Sequence, residues 1–164
     1  MINIIGAMDR NRNIGLNGDM PWGTEMKSDL QRFKELTQGQ IIVMGRKTFE
    51  SLPGILPDRL HYVLTTQDLV VRSPMVNMKR SVQEVLDVHD RTGHDMFIIG
   101  GAQIYEQFMP YADNIYLTKI LANLEGDTKF PPIVGNWDIV QSELTRRDGD
   151  KYSSQYVTYT RRRD

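Results

Sequence analysis

The sequence predicts an α/β protein: a mostly parallel central sheet flanked by helices on both faces and closed by a C-terminal antiparallel hairpin. Three observations carry that prediction. Short apolar runs alternate with amphipathic stretches through the first two thirds of the chain, the pattern of βαβ crossovers and a buried parallel sheet. The last third keeps two strand-like runs around a turn-rich segment, Arg146-Arg147-Asp148-Gly149-Asp150, as an antiparallel hairpin would. No repeat, low-complexity tract or Gly/Pro/Ser-rich linker interrupts the 164 residues, so a single domain over 1–164 is expected.

Taken in order, residues 2–8 are mostly apolar until Asp9-Arg10 stops them. That makes an opening strand; the run is too short, and lacks the leading positive charge, for a signal peptide. Residues 9–23 show little periodicity yet hold Ile14, Leu16, Met20 and Trp22, apolar groups that need something to cover. A long irregular connection of that kind reads as a lid. Residues 24–36 have the helical period. Residues 41–44, 60–64, 75–78, 96–99 and 115–120 read as buried strands, with helices at 48–52, 82–88 and 102–109 between them. Residues 137–144 and 152–159 are the strands of the hairpin, and the segment 125–132 stays undecided on its residue types.

Composition removes several classes of function. Lys plus Arg number 20 against 21 Asp plus Glu, a net charge of −1, which lacks the basic excess of a nucleic-acid binder. The absence of Cys removes disulfides, thiolate zinc sites and thiol nucleophiles. His61, His89 and His94 are scattered and never at i, i+4, which argues against a metal site. No run approaches the roughly 18 apolar residues of a membrane span. The expectation is a cytoplasmic monomer without nucleic-acid or membrane partners, its Arg161-Arg162-Arg163 a solvated chain end.

Projected at about 100° per residue, Met26, Leu30, Phe33, Leu36 and Thr37 share one arc of the third predicted element, while Lys27, Ser28, Gln31, Arg32, Lys34 and Glu35 fall outside it. Asp29 lies inside the arc, where a carboxylate is costly unless paired. Two readings stay open: an acid in the first helical turn favoured by the dipole, or a functional carboxylate beneath the lid. Glu25 falls at the arc's edge, where the dipole alone explains it. Two strand-to-helix junctions, Gly45-Arg46-Lys47-Thr48 and Gly100-Gly101-Ala102, place glycines where helix N-termini collect anions. Neither matches the G-x-G-x-x-G fingerprint or the P-loop consensus, but two such junctions at carboxyl strand ends point to a phosphate-bearing ligand.

Read together, these residues closely resemble the dihydrofolate reductase family. The match runs from the opening strand through Ala7, Ile14-Gly15, Met20-Pro21-Trp22 and Asp29-Leu30-x-x-Phe33-Lys34. It continues through Met44-Gly45-Arg46-Lys47-Thr48, Leu56-Pro57-x-Arg59, Thr65-Thr66, Ile99-Gly100-Gly101-Ala102-x-Ile104-Tyr105, Thr118 and Glu125-Gly126-Asp127-Thr128. The order is the family's, at nearly the family's spacing, over essentially the whole chain.

The resemblance implies NADPH-dependent reduction of 7,8-dihydrofolate, with hydride passing to pterin C6 and a proton to N5. It implies that Asp29 binds the pterin and promotes protonation, with Thr118 backing the carboxylate and Trp22 and Tyr105 in the catalytic set. On the substrate side it implies Ile5, Ala7, Leu30, Phe33, Lys34, Leu52, Leu56 and Ile99, with Arg59 gripping the glutamate tail. Cofactor positions would be Ala7, Ile14, Gly15 and Leu16; then Gly45, Arg46, Lys47, Thr48, Thr65 and Thr66; then Gly100, Gly101, Ala102, Gln103, Ile104 and Tyr105. Arg46, Lys47 and Thr66 suit a 2′-phosphate, which favours NADPH over NADH. The resemblance also implies a cis peptide at Gly100–Gly101, Met20 on the lid, Asp127 as the lid's partner, and folate analogues as inhibitors.

The chain departs from the family pattern in three places. Gln103 stands where a basic residue is common; Trp22 to Asp29 is two residues longer than in many bacterial members and lacks their Pro; and Asp58 replaces the frequent Gly before Arg59. Two rival readings are a riboflavin-biosynthesis reductase on a similar fold and a non-catalytic nucleotide-binding module. The first needs neither Asp29 nor Arg59, and the second has no use for Asp29 in the apolar arc.

Overall fold

The computed structural model describes residues 1–69 and 71–163. Strands β1 (Ile2–Met8), β3 (Ile41–Gly45), β4 (Leu60–Leu64), β5 (Val76–Lys79), β6 (Met96–Gly100), β7 (Asn114–Ile120), β9 (Trp137–Thr145) and β10 (Ser154–Arg161) form one eight-stranded sheet. Its order is β5-β4-β3-β6-β1-β7-β10-β9. The pairings from β5 across to β7 are parallel, and β10 is antiparallel to both β7 and β9. Two further short strands, β2 (Asn13–Gly15) and β8 (Thr128–Lys129), pair with each other outside the main sheet.

Strand alternation sorts the apolar side chains onto two faces. Ile41 and Val43 point to the face covered by α3 (Val82–Thr92) and α4 (Ala102–Phe108), with Val85, Val88, Ile104 and Phe108 in the same cluster. Ile42 and Met44 point to the other face, where Phe33 and Leu36 of α1 (Lys27–Thr37) and Phe49 of α2 (Arg46–Ser51) pack. Each such side chain removed from water contributes about 1.5–3 kcal/mol, so both helical layers are held by ordinary burial. A third cluster joins Trp22, Met26 and Ile120 beneath the irregular segment.

Several boundaries differ from expectation for local reasons. α1 starts at Lys27 rather than Thr24, because Gly23 takes a φ of 61° in a turn closed onto Met20. Its N-cap is Met26, which offers no capping side chain. Asp150, from the hairpin tip, accepts instead from Ser28 N at 2.9 Å. Glu25 therefore precedes the helix and forms an ion pair with Lys151 at 3.0 Å. α3 runs on to Thr92, a polar last turn that hides its period, and Gly93 ends it in the left-handed region. The chain end is solvated at Arg162 and Arg163, which are exposed even as they pair with Asp138 and Asp113, while Arg161 is half-buried and donates to the carbonyls of Ala112 and Met109.

The irregular segment 9–23, expected from sequence to be a lid, is tied down at its root by Asp9, which is fully buried. One carboxylate oxygen accepts from Asn11 N at 2.9 Å and Asn13 N at 2.7 Å. The other accepts from Asn13 Nδ2 at 3.0 Å and Leu124 N at 2.9 Å, joining the lid to the chain after β7. Burial raises the carboxyl's pKa, but these hydrogen bonds outweigh it and hold the group below the usual carboxylate range. With a native pKa below the unfolded one, its contribution is complete above about pH 4 and is lost as pH falls through the native value. Asp9→Ala should cost about 2–3 kcal/mol by leaving buried donors unpaired. Urea titrations at neutral pH and in acid should show that difference shrinking as pH falls; an equal loss at both would contradict it.

Candidate active site

Ala7 of β1 pairs with Thr118 of β7, and Thr118 pairs in turn with Tyr156 of β10. This row underlies the first turn of α1, which carries Asp29. Burial pushes the Asp29 carboxyl above its usual range. The Thr118 hydroxyl and the Arg32 charge pull the other way, and Asp150 adds to the rise. The net direction is toward an acid that keeps its proton to higher pH than a surface aspartate. Asp29 thus sits in the first turn of the helix, half-buried, with its carboxyl raised.

Around it, Ile5 is buried, and Phe33, Leu52, Leu56 and Ile99 pack against the same cluster. Leu30 does not follow the buried arc; it is 42% exposed and belongs to none of the clusters. Lys34 is exposed on the outer face of α1. Arg59 is 6% exposed, at the turn where Asp58 adopts a φ of 59°. Its Nε donates to the Pro57 carbonyl at 2.9 Å and its Nη1 to Thr37 Oγ1 at 3.3 Å, which fixes the plane of the guanidinium.

On the other side of the sheet's carboxyl edge, β3 and β6 end side by side, with Met44 in register with Gly100. The Gly100–Gly101 peptide is cis. Gly100 has a φ of 123°, and a Cβ there would meet the Tyr105 ring at 3.3 Å; a Cβ on Gly45 would meet Ile104 at 3.2 Å. The two junctions adjoin, since a Cβ on Gly101 would lie 3.6 Å from Thr48 Oγ1. Neither α2 nor α4 has a side-chain cap, so the amides of both first turns are left for another acceptor. Ala102 is half-buried and Gln103 exposed, with the Gln103 carbonyl accepting from Gln107 at 3.1 Å.

The cations on this edge are not idle. Arg46 pairs with Glu50 at 2.7 Å and reaches Gln67, while Lys47 is exposed. Thr65 accepts from Gln67 N at 3.1 Å, and the Thr66 carbonyl accepts from Arg80 at 2.5 Å. Arg80 was not among the residues singled out from sequence. It lies across from Thr66 because β4 and β5 are adjacent parallel strands, a pairing that no local pattern announces.

Tyr105 and Trp22 are both buried. The Tyr105 hydroxyl lies 2.8 Å from the carbonyls of Ile5 and of Ile99, and burial, with the nearby Asp29 charge, raises its pKa strongly. It is a neutral clamp between the ends of β1 and β6. Trp22 fills the cluster under the lid with Met26, and Ala7 and Met20 pack against it.

In the lid, Ile14, Gly15 and Leu16 are half-buried. Leu16 and Asp19 exchange backbone hydrogen bonds around Asn17 and Gly18, both at positive φ. An Asn-Gly pair flanked this way is a hairpin signal that sequence alone carried. Asp127 brackets the same turn: its N donates to the Gly15 carbonyl at 2.8 Å and its carboxylate accepts from Asn17 N at 2.8 Å. Its pKa is held low first by that Asn17 bond and then by the Thr128 hydroxyl.

Fold and site together define an α/β protein with two adjoining glycine-lined strand-to-helix junctions on one side of the sheet edge and a half-buried acid of raised pKa on the other. The family model described as dihydrofolate reductase matches residues 1–161. A dihydrofolate reductase of Bacillus subtilis (strain 168) is 40% identical over 99% of this chain and 95% of its own. The type 3 dihydrofolate reductase of Salmonella typhimurium is 35% identical over 99% of both chains. The solved dihydrofolate reductase of Enterococcus faecalis, complexed with NADP(H) and RAB-propyl, superposes with a TM-score of 0.88 at 33% identity, covering 99% of this chain and 97% of that one. The chain belongs to the dihydrofolate reductase family. It is an NADPH-dependent oxidoreductase acting on 7,8-dihydrofolate.

The lid's bracket gives a direct test. Asp127→Ala removes the acceptor for Asn17 N without touching the core, so local opening of residues 9–23 becomes easier while global stability stays put. Limited trypsin digestion at the exposed Arg10 and Arg12 should accelerate severalfold. An unchanged cleavage rate would show that Asp127 does not hold the lid.

Proposed function

We propose that Asp29 is the residue on which substrate binding and N5 protonation turn, and that the remaining side chains divide between orienting two flat rings and excluding water. The observation that carries this reading is a carboxyl pushed up by burial and backed by Thr118, on the same helix whose Phe33 and Leu36 pack into the apolar cluster around Ile5. Ile5, Ala7, Leu30, Phe33, Leu52, Leu56 and Ile99 would line the pterin and benzoyl ring, and the exposure of Leu30 supports a place for it against a ligand rather than the core. Arg59, its plane set by Pro57 and Thr37, would receive the glutamate carboxylate in bidentate fashion. Lys34 would add charge at the mouth.

The residues of the opposite edge fit NADPH. Gly45, Gly100 and Gly101 leave space that any Cβ would reduce, and the uncapped first turns at Arg46 and Ala102 offer amides to phosphate oxygens. Arg46, Lys47, Thr48, Thr65 and Thr66, with Arg80 alongside, would hold the adenosine 2′-phosphate, Arg46 exchanging its Glu50 partner for the ligand. Gln103 and Ile104 continue the cradle. When bound, the cofactor supplies the hydride. Ala7, Ile14, Gly15, Leu16 and Tyr105 would position its ring, Met20 and Trp22 would close over it, and Asp127 would keep the lid shut. Such orientation is the larger part of what a protein contributes to hydride transfer. One chain supplies every group named, which supports reading the protein as a single-domain monomer; we place it in the cytoplasm, where folate analogues would compete for the same cleft.

Activity should fall as pH rises through the Asp29 value, because only the protonated acid favours N5 protonation. Asp29→Asn is expected to lose nearly all dihydrofolate reduction at neutral pH, to recover part of it in acid, where solvent delivers the proton, and to keep binding NADPH. Glu25→Gln should leave the pH profile unchanged, since Glu25 is occupied with Lys151. Steady-state rates across pH decide it; an inactive Glu25→Gln beside an active Asp29→Asn would overturn the assignment.

A further inference from the structure

Arg32 falls outside the apolar arc of α1, and sequence alone places it in solvent. It is instead half-buried. Its guanidinium carbon lies 3.6 Å from the centroid of the Tyr156 ring, a stacking distance, and its Nη1 lies 3.4 Å from Thr118 Oγ1. Thr118 is 2% exposed and is the same hydroxyl that backs Asp29. Arg32 forms no ion pair with any carboxylate among the described residues. A cation braced this way, with no ion-pair partner among the described residues, acts on the Asp29 carboxyl, whose protonation its charge opposes.

We propose that Arg32 is a positioning residue for the reaction: clamped between Tyr156 and Thr118, it orients the threonine hydroxyl and supplies the fixed positive charge that opposes protonation of Asp29. The proposal rests on Asp29 as the site of proton promotion. The groups facing Asp29 are few. Arg32 comes from its own helix, Asp150 from the hairpin tip with a charge of opposite effect, Tyr105 from α4 and Tyr156 from β10. Burial, above all, keeps both tyrosines neutral phenols, so they do not titrate in the same range. Asp150 is fixed by its cap on Ser28, which leaves Arg32 as the removable positive charge. An arginine keeps its charge at every working pH, so its influence is a constant offset.

The test compares Arg32→Gln, Arg32→Met and Arg32→Lys with the parent protein, each first checked for folding and NADPH binding. The rate of hydride transfer in a single turnover with dihydrofolate is followed across pH. Both neutral variants should move the alkaline fall in rate upward by roughly half a pH unit to one unit, the effect of losing one adjacent, partly screened charge. Arg32→Lys should keep the parent's midpoint. Either neutral variant suffices if the other fails to fold. A midpoint unmoved in the neutral variants, or moved as far by Lys as by Gln, overturns the proposal. Asp29→Asn run in parallel separates the two levels. If it stays active with the parent's profile, the role of Asp29 itself fails; if it behaves as expected while Arg32 variants change nothing, only Arg32 fails.

Discussion

A carboxyl group out of bulk water favours its neutral form, and every nearby group then counts toward its titration. Asp29 is half-buried and shifted in that direction, and much of the surrounding structure bears on that one acid. Parallel strands β1 and β7 bring Ala7 and Thr118 together beneath it. The antiparallel β10 adds Tyr156, against which Arg32 stacks. The hairpin tip adds Asp150, which holds the start of α1 through Ser28 N. Charges of opposite sign thus approach the acid from two directions while apolar side chains fill the rest. The balance leaves the group raised rather than lowered.

The irregular segment 9–23, proposed as a lid, is a second construction beside the first. Its root is pinned by the buried Asp9 and its tip by the exposed Asp127, two carboxylates that both accept backbone amides yet differ in burial. Under the proposed function, the buried carboxylate would be costly to break and the exposed one cheap, which is what a segment that opens without unravelling would need. The extra residues between Trp22 and Asp29 do not disturb this arrangement. They form a turn at Gly23 and place Glu25 against Lys151, so the helix start is held by the hairpin instead of by a cap of its own.

The layers of the fold were legible because burial leaves a period: Ile41 to Met44 alternate between two cores as a strand must, and the strand-like runs fall where strands are found. The glycine junctions were legible because only glycine leaves that space beside Ile104 and Tyr105. What escaped is long-range. Arg32 looked solvent-facing because a helical projection treats a helix as touching one neighbour, whereas α1 meets the sheet on one side and Tyr156 on another. Asp150 and Arg80 act across strand pairings that no window of the sequence contains. The short pair β2 and β8 escaped because two or three residues carry no period, although Asn17-Gly18 marked the turn beside it.

The central claim is that Asp29 is a half-buried acid with a raised pKa. The most direct measurement is carboxyl-carbon NMR of the protein labelled at its aspartates and saturated with NADPH, titrated through the acid range, with Asp29→Asn to assign the signal. The account predicts that the Asp29 resonance titrates well above the ordinary value near 3.9, while Asp9 and Asp127 titrate below it. An Asp29 resonance titrating at or below that ordinary value would contradict it.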